Sequence, residues 1–223
     1  MPDFFKRDEK SEMLEDIIRK ENDRRSIPVI DSSFDPSRIT ECGRRMIYRS
    51  IGTPHRKSHV SYIDDLTYKS TVNRWLDILI HCLNIRVLGK DIVTADSKYN
   101  ITANVNALIS FNNDVYVTQI KPVSNNDFNK ILKTGALKKD VVEITIYLWL
   151  MELTDGLLLY SNNESNDFTV IHVEPYTPII TAIKSKCETM MRNKINGALP
   201  ERPYKDESSP ECKCCEFKNE CWN

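Results

Sequence analysis

A dense group of cysteines near the end of the chain constrains the fold more than any other feature. Residues 210–223 read PECKCCEFKNECWN, with two residues between Cys212 and Cys215 and five more before Cys221. The tail 200–223 is rich in proline and charge and has too few apolar side chains for a core of its own. We therefore expect another part of the chain to anchor this tail.

The spacing of these cysteines is typical of a metal centre. A C-x2-C turn lets two thiolates converge on one centre, and Cys221 supplies a third ligand. The vacant fourth position can be filled by a distant cysteine, and Cys42 is the natural candidate. Cys214 is an alternative to Cys215. The residues alone do not separate zinc from an iron–sulfur centre.

Composition indicates a globular protein rather than a membrane protein or a polycation. The chain has 223 residues, 40% hydrophobic and 28% charged, with a net charge of −1. No apolar run approaches the ~18 residues that a membrane helix needs. The first 25 residues are too charged for a signal peptide. We expect a reducing cytoplasm, where metal binding explains seven cysteines better than disulfides do.

Hydrophobic periodicity predicts one α/β layer structure. Helices are expected at 8–25, 38–51, 67–84, 138–153 and 177–195, with Ser37 capping the second. Strands are expected at 90–96, 101–111, 114–123, 155–162 and 167–175, with a tight turn at NND between the second and third. This order predicts helices packed on both sides of one mixed central sheet.

Positive charge is concentrated in residues 38–59 and 121–139. Such stretches can follow a phosphate backbone, and they can equally be two solvated faces. The candidate nucleic-acid contacts are Arg44, Arg45, Lys121, Lys130 and Lys133.

The strand around VYVTQIKPVS places Gln119 and Lys121 two residues apart, so both project from one face. The preceding strand reads ITANVNALI, with Asn106 inside it. Together with the cysteines, these strands resemble the iron–sulfur-containing PD-(D/E)XK exonucleases, the RecB-like group that includes CRISPR-adaptation and phage recombination nucleases. The resemblance covers about residues 37–222 and implies a restriction-endonuclease-like core.

The ends of the chain match that family closely. Its serine-led helix with a lone cysteine, basic residues and a tyrosine corresponds to Ser37, Cys42, Arg44, Arg45 and Tyr48. Its proline and C-x2-C-x5-C tail correspond to Pro203 or Pro210 with Cys212, Cys215 and Cys221. The resemblance implies a [4Fe–4S] cluster on Cys42, Cys212, Cys215 and Cys221, with Zn²⁺ as the alternative.

The middle of the chain departs from the family at its metal ligands. Asn106 replaces the aspartate, Gln119 replaces the glutamate of the E-x-K strand, and Ala103 replaces a glycine. Lys121 and Tyr147 are kept, Glu143 stands for a glutamine, and Asn73 is the nearest match to a histidine. Neutral amides hold Mg²⁺ or Mn²⁺ far less well than carboxylates, so we expect that site to be lost.

Three functions remain open. The first is a catalytically silent nuclease-fold protein that binds single- or double-stranded DNA or a protein of a nucleic-acid-processing machine. The second is an active exonuclease with migrated ligands, Glu143 and Asp91. The third is a scaffold that docks a partner through its N-terminal helix. The expected organisation is a charged helix and linker at 1–36, a nuclease-like core at 37–200, and a cysteine tail at 201–223 that packs back on Cys42.

Overall fold

The computed structural model describes residues 9–25, 27–28, 32–53, 59–60 and 62–223. Its helices are α1 (Glu9–Arg25), α2 (Gly43–Ser50), α3 (Tyr62–His81), α4 (Asn125–Thr134), α5 (Lys138–Met151), α6 (Thr177–Ile195), α7 (Pro210–Lys213) and α8 (Lys218–Trp222), with a 3-10 turn at Pro36–Arg38. Its strands are β1 (Ile27–Pro28), β2 (His59–Val60), β3 (Ile85–Asp96), β4 (Ile101–Phe111), β5 (Asp114–Val123), β6 (Gly156–Asn162) and β7 (Phe168–Val173).

The central sheet has five strands in the order β3-β4-β5-β6-β7. The β5–β6 pair is parallel and the other three pairs are antiparallel, which confirms the expected mixed sheet. Parallel neighbours need a crossover connection, and α4 and α5 provide it. A separate two-stranded sheet joins β1 to β2.

The hairpin between β4 and β5 has the bounds that the sequence predicts. Asn112 and Asn113 occupy the turn with φ of 51° and 71°. A two-residue turn with positive φ at both positions matches the twist of the flanking strands, and asparagine tolerates it. β3 begins earlier than expected, because it pairs with β4 along its length from Ile85 opposite Phe111.

Both faces of the sheet are covered. On one face, Val72, Trp75 and Leu76 of α3 pack against Ile120 and Leu159. On the other, α5 lies against the sheet and also contacts α6 and the 3-10 turn. A helix buried on several sides must be apolar around most of its circumference, which explains the sequence of α5.

The helix expected at 38–51 is wrong in its first half. Asp35 caps a short 3-10 turn by accepting from the Ser37 N–H at 2.8 Å, and Pro36 occupies the first position. Cys42 precedes α2 as its N-cap residue rather than lying inside a helix. A Cβ added at Gly43 would lie 3.0 Å from Met190 Sδ, so α2 begins where it packs closely on α6.

Two further local features differ from expectation. α4 was not predicted, although Ser124 caps it by accepting from the Asp127 N–H at 3.2 Å. The apolar helical patterns around Cys82 and Cys187 predict that both are small buried side chains rather than ligands. Cys82 instead lies after the end of α3 and is only half-buried. Cys187 is fully buried, which confirms the prediction, and burial raises its pKa to about 12.

None of the helices in the described part of the chain has the length and apolar character required to span a bilayer.

Candidate functional site

β4 and β5 separate at the point where the sequence resemblance places a nuclease centre. Their regular pairing runs from Phe111 opposite Asp114 to Ala107 opposite Thr118. Beyond it, the Asn106 N–H donates to Gln119 Oε1 at 3.2 Å, and the Ile120 N–H donates to Asn106 Oδ1 at 2.8 Å. The two amide side chains therefore bridge the strands by bonding to main-chain groups.

Glu143, on α5, faces this bridge. Lys121 Nζ donates to Glu143 Oε2 at 2.6 Å, and the Tyr147 hydroxyl donates to Oε1 at 2.7 Å. Gln119 Nε2 makes a longer contact of 3.5 Å with the same Oε1. Tyr147 lies four residues after Glu143, one helical turn along the same face. Both carboxylate oxygens are thus occupied by donors from within the chain.

The ion pair between Lys121 and Glu143 is nearly dry. The Glu143 side chain is 4% exposed and that of Lys121 is 16% exposed. Burial acts to lower the pKa of Lys121, but attraction and hydrogen bonding to Glu143 outweigh it and the pKa is raised. Burial, reinforced by Glu143, raises the pKa of Tyr147. Lys121 therefore stays charged at neutral pH and Tyr147 stays protonated.

These residues line one open pocket of about 730 Å³. The pocket brings together the predicted site residues Asn73, Asp91, Asn106, Gln119, Lys121, Glu143 and Tyr147. Asp91 adopts a left-handed backbone with φ of 49°, which is uncommon for a residue with a side chain, although aspartate adopts it more readily than most.

The sequence reasoning missed several members of this pocket, among them an aspartate and a tyrosine. Asp35 lines it from the 3-10 turn, and Tyr68 lines it from α3. The Tyr68 hydroxyl lies 3.4 Å from Asn106 Nδ2, which donates to it. The loop sequence DSSFDPS indicated a turn at Asp35, but only the packing of that turn on α5 brings its carboxylate into the pocket.

The four predicted cysteine ligands meet at a second cavity. Cys42, Cys212, Cys215 and Cys221 all line a space of about 220 Å³ between α2 and the tail. Within the described ranges, however, no three His, Cys, Asp or Glu side chains are arranged to hold a single metal ion. The cysteines therefore surround a space rather than converging on one point.

An ionic cluster attaches the tail to α2 beside that cavity. Arg49 Nε donates to Glu216 Oε1 at 2.8 Å, Arg45 Nη2 pairs with Glu216 Oε2 at 2.6 Å, and Glu41 pairs with both arginines. The Glu216 side chain is 3% exposed. Burial acts to raise the pKa of Glu216, but the two arginines outweigh it and hold the pKa below its ordinary value.

Aromatic contacts complete the attachment. Phe217 is fully buried and stacks on Tyr48 with ring centroids 5.3 Å apart. The Tyr48 hydroxyl donates to the Glu220 carbonyl at 3.0 Å, and Arg44 Nη1 lies 3.4 Å from Cys221 Sγ. An acidic and an aromatic residue directly after Cys215 were the available sequence signal for this docking.

The predicted nucleic-acid contacts occupy different environments. Lys130 and Lys133 are exposed on α4. Arg44 and Arg45 are half-buried against the tail, and Lys121 is paired with Glu143. Residues 54–58, part of the first basic stretch, lie outside the described residues. The contacts with nucleic acid stay predictions.

Several solved structures share this architecture. The crystal structure of SSO0001 is 17% identical, with 98% of each chain covered and a TM-score of 0.58. An alkaline exonuclease from Laribacter hongkongensis, LHK-Exo, is 10% identical, with 75% of this chain and 90% of that one covered and a TM-score of 0.57. LHK-Exo in complex with dAMP matches equally, with a TM-score of 0.58.

No family profile matches the sequence, and neither does any curated protein. At these low identities the structural likenesses concern the fold alone. The chain has a mixed α/β fold, with a five-stranded mixed sheet flanked by helices, that resembles an alkaline exonuclease.

Proposed function

We propose that this chain is a catalytically silent nuclease-fold protein that binds DNA or a protein of a nucleic-acid-processing complex. One observation carries the proposal. The side-chain oxygens of Asn106 and Gln119 accept main-chain N–H groups, and both oxygens of Glu143 accept from neighbouring side chains. The oxygens that would ligate a catalytic cation are thus committed to internal hydrogen bonds.

The chemistry of these side chains also supports the absence of catalytic activity. Phosphodiester cleavage of this type needs anionic oxygens that hold Mg²⁺ or Mn²⁺ and activate water. Here the carboxylate of Glu143 is already neutralised by Lys121 at 2.6 Å, and the two amides are neutral. A divalent cation would have to displace a buried lysine to bind the carboxylate of Glu143.

Binding without cleavage is supported by the exposed lysines of α4 and α5. Lys130, Lys133, Lys138 and Lys139 all face solvent. Cationic side chains on an exposed helix can contact a phosphate backbone without any chemistry at the pocket. A protein partner of the same complex could use the same surface if it is acidic.

We also propose an iron–sulfur cluster, [4Fe–4S], on Cys42, Cys212, Cys215 and Cys221. A single zinc ion with Zn–S bonds of about 2.3 Å holds its four sulfur atoms close together. In the described ranges no three His, Cys, Asp or Glu side chains lie close enough to hold a single metal ion, although all four cysteines line a cavity of 220 Å³. This arrangement favours a bound group that is larger than one zinc ion. When bound, a cluster of this type supplies structural cross-linking and electron transfer.

A combined cleavage and binding assay tests whether the protein binds DNA without cutting it. Purified protein is incubated with end-labelled single- and double-stranded DNA and with Mg²⁺ or Mn²⁺, while binding is followed by fluorescence anisotropy. We expect binding that weakens with salt and no cleavage with either metal. Metal-dependent cleavage that Glu143→Ala abolishes would show that the proposal is wrong.

A second candidate is an exonuclease with migrated ligands. Asp35, Asp91 and Glu143 line the same pocket, and the left-handed backbone of Asp91 is the observation in its favour. In that case Asp91→Asn would abolish cleavage, whereas Asp114→Asn, at the start of β5, would not. Full activity of the Asp91→Asn and Glu143→Ala variants together would exclude it.

A third candidate is a scaffold that docks a partner through α1. This helix exposes Met13, Leu14, Ile17 and Ile18 on one side. Exposed apolar residues at helical spacing are common at helix-in-groove contacts. Removal of residues 1–25 would abolish an interaction of this kind and leave DNA binding intact.

A further inference from the structure

Three buried N–H groups beside the four-cysteine cavity lack an acceptor. Arg44 Nε, Arg45 Nε and Trp222 Nε1 are inaccessible to solvent and bond to none of the described residues. All three side chains line the cavity. A buried donor that is left unpaired destabilises the folded state. Three such donors around one space indicate that its occupant carries hydrogen-bond acceptors.

The chemistry of the lining identifies those acceptors. Four cysteine sulfur atoms surround the cavity, and Arg44 Nη1 already lies 3.4 Å from Cys221 Sγ. The carboxylates of Glu41 and Glu216 form ion pairs with the guanidinium groups of Arg45 and Arg49. Metal-bound thiolates carry negative charge and accept N–H donors, and the four cysteines line the same cavity as the three unpaired donors.

Trp222 is held in position by its own contacts. The Arg202 guanidinium lies over the Trp222 ring, 4.6 Å from its centroid. Arg202 Nε also donates to the Cys221 carbonyl at 3.1 Å. These contacts hold the indole at the wall of the cavity that the four cysteines also line.

We infer that Arg44, Arg45 and Trp222 donate hydrogen bonds to the sulfur atoms of a metal–thiolate centre held by the four cysteines. The inference rests on the proposed cofactor but concerns different residues. These donors offset the negative charge of the sulfur atoms and slow metal loss. For an iron–sulfur centre, they also favour the more negative reduced form and so raise its reduction potential.

The Trp222 indole N–H provides a test that is independent of any activity. Stripped protein labelled with ¹⁵N is compared with the same protein loaded with cadmium, a thiophilic and diamagnetic probe. The chain has three tryptophans, so Trp222→Phe assigns the signal. We expect the Trp222 N–H signal to move and its exchange with solvent to slow by about tenfold on loading. Trp75 Nε1, which is also buried and unpaired but lies on α3, is an internal control that stays unchanged.

A second measurement addresses Arg44. We expect Arg44→Met to lose cadmium to a chelator about 10–100-fold faster than the wild type. In other metal sites, removal of a residue that hydrogen-bonds to a ligand weakens metal binding to a similar extent. Arg44→Lys, which keeps the charge but changes the geometry of the donors, should recover part of this loss. Arg74→Met, which removes an exposed arginine from α3, is the matched control.

The outcomes separate this inference from the proposed cofactor. Bound cadmium with an unchanged Trp222 signal and an unchanged rate in Arg44→Met overturns the hydrogen bonds and leaves the cofactor intact. Anaerobically purified protein that holds zinc but neither iron nor sulfide would show that the proposed iron–sulfur cluster is wrong. The Trp222 signal would still test whether the side chains donate hydrogen bonds to sulfur. Protein that binds no metal at all overturns both.

Discussion

At the residue scale, the pocket depends on one buried pair of charges. Glu143 is held by Lys121 at 2.6 Å and by Tyr147 at 2.7 Å, and Asp140 lies buried on the same helix. Asp140 accepts from the Tyr160 hydroxyl at 2.8 Å. Removing one member of a buried ion pair leaves an uncompensated charge, which costs more than the pair contributes.

Lys121→Met should therefore lower the free energy of unfolding by about 3–5 kcal/mol. The loss arises because Glu143 remains buried without its countercharge. Addition of Glu143→Gln to this variant should restore part of the stability, since a neutral amide needs no countercharge. Urea denaturation of the two single variants and the double variant measures the coupling. Additive effects of the two changes would contradict this account of the pocket.

The two amides that bridge β4 and β5 yield a second prediction at this scale. The double variant Asn106→Asp with Gln119→Glu places two more carboxylates beside Glu143. We expect it to be stabilised by Mn²⁺ by about 2.7 kcal/mol at a metal concentration one hundred times its Kd. Thermal unfolding with and without the metal gives this shift. The wild type should show none, and an equal shift in both proteins would refute the proposed loss of the metal site.

At the scale of elements, α2 and the tail are joined by contacts that need no metal. Glu216 pairs with Arg45 and Arg49, and Phe217 is fully buried against Tyr48. The sequence analysis attributed the anchoring of the tail to the cysteines alone. The ionic cluster and the buried ring are a second attachment, so the cavity can be formed before a cofactor enters it.

Phe217→Ala should cost about 3–5 kcal/mol and should release the tail to limited proteolysis even in the presence of the cofactor. The reason is the loss of the one fully buried side chain that the tail contributes. Phe168→Ala, at an exposed position on β7, is the control. If the tail of the Phe217→Ala variant resists protease, the cysteines with their cofactor are sufficient to hold the tail in place.

The Glu216 cluster predicts an acid limit for this docking. The pKa of Glu216 is lower in the folded protein than its ordinary value near 4.5, so folding favours the ionised form. The contribution of ionised Glu216 to the free energy of unfolding is fully present above its ordinary pKa. This contribution is lost as the pH falls through the lower pKa that Glu216 has in the folded protein. Stability curves of wild type and Glu216→Gln should therefore converge at acid pH and separate above about pH 5. A constant difference across the range would contradict the assignment.

At the scale of the whole molecule, an almost neutral chain presents its free positive charge unevenly. The net charge is −1, yet the exposed lysines of α4 and α5 are grouped within ten residues of chain, 130–139. Local charge rather than net charge governs contact with a polyanion at physiological salt, because screening acts over about 8 Å. This region is therefore the part of the described surface where the proposed DNA binding is to be tested.

Replacement of Lys130 and Lys133 by Glu should weaken DNA binding and reduce the slope of log K against log salt concentration. Each lost phosphate contact reduces that slope by about 0.9 for duplex DNA. Anisotropy titrations at several salt concentrations measure both quantities. The double variant Lys20→Glu with Lys205→Glu, at exposed positions outside α4 and α5, is the charge-matched control. Unchanged binding by the variant with Lys130 and Lys133 replaced would move the interface elsewhere or favour a protein partner.

The sequence by itself determined the fold class and the bounds of several elements. Hydrophobic periodicity predicted β4, β5 and α5, and the turn residues Asn112 and Asn113 set the register of β4 against β5. Strand alternation predicted that Gln119 and Lys121 share one face, whereas the resemblance to a nuclease family, not a local rule, brought Asn106 and Glu143 into the same expected site. Spacing selected Cys212, Cys215 and Cys221, whereas Cys42 was taken as a distant residue for the fourth position.

Only the tertiary structure decided what these residues do to one another. The pairing of Lys121 with Glu143 and of Glu216 with Arg49 joins residues that are distant in the chain, and no local pattern encodes such contacts. The same holds for Asp35, which reaches the pocket because its turn packs on α5. Local sequence sets the direction of each side chain, whereas burial and distance, which depend on the assembled layers, set its charge partner.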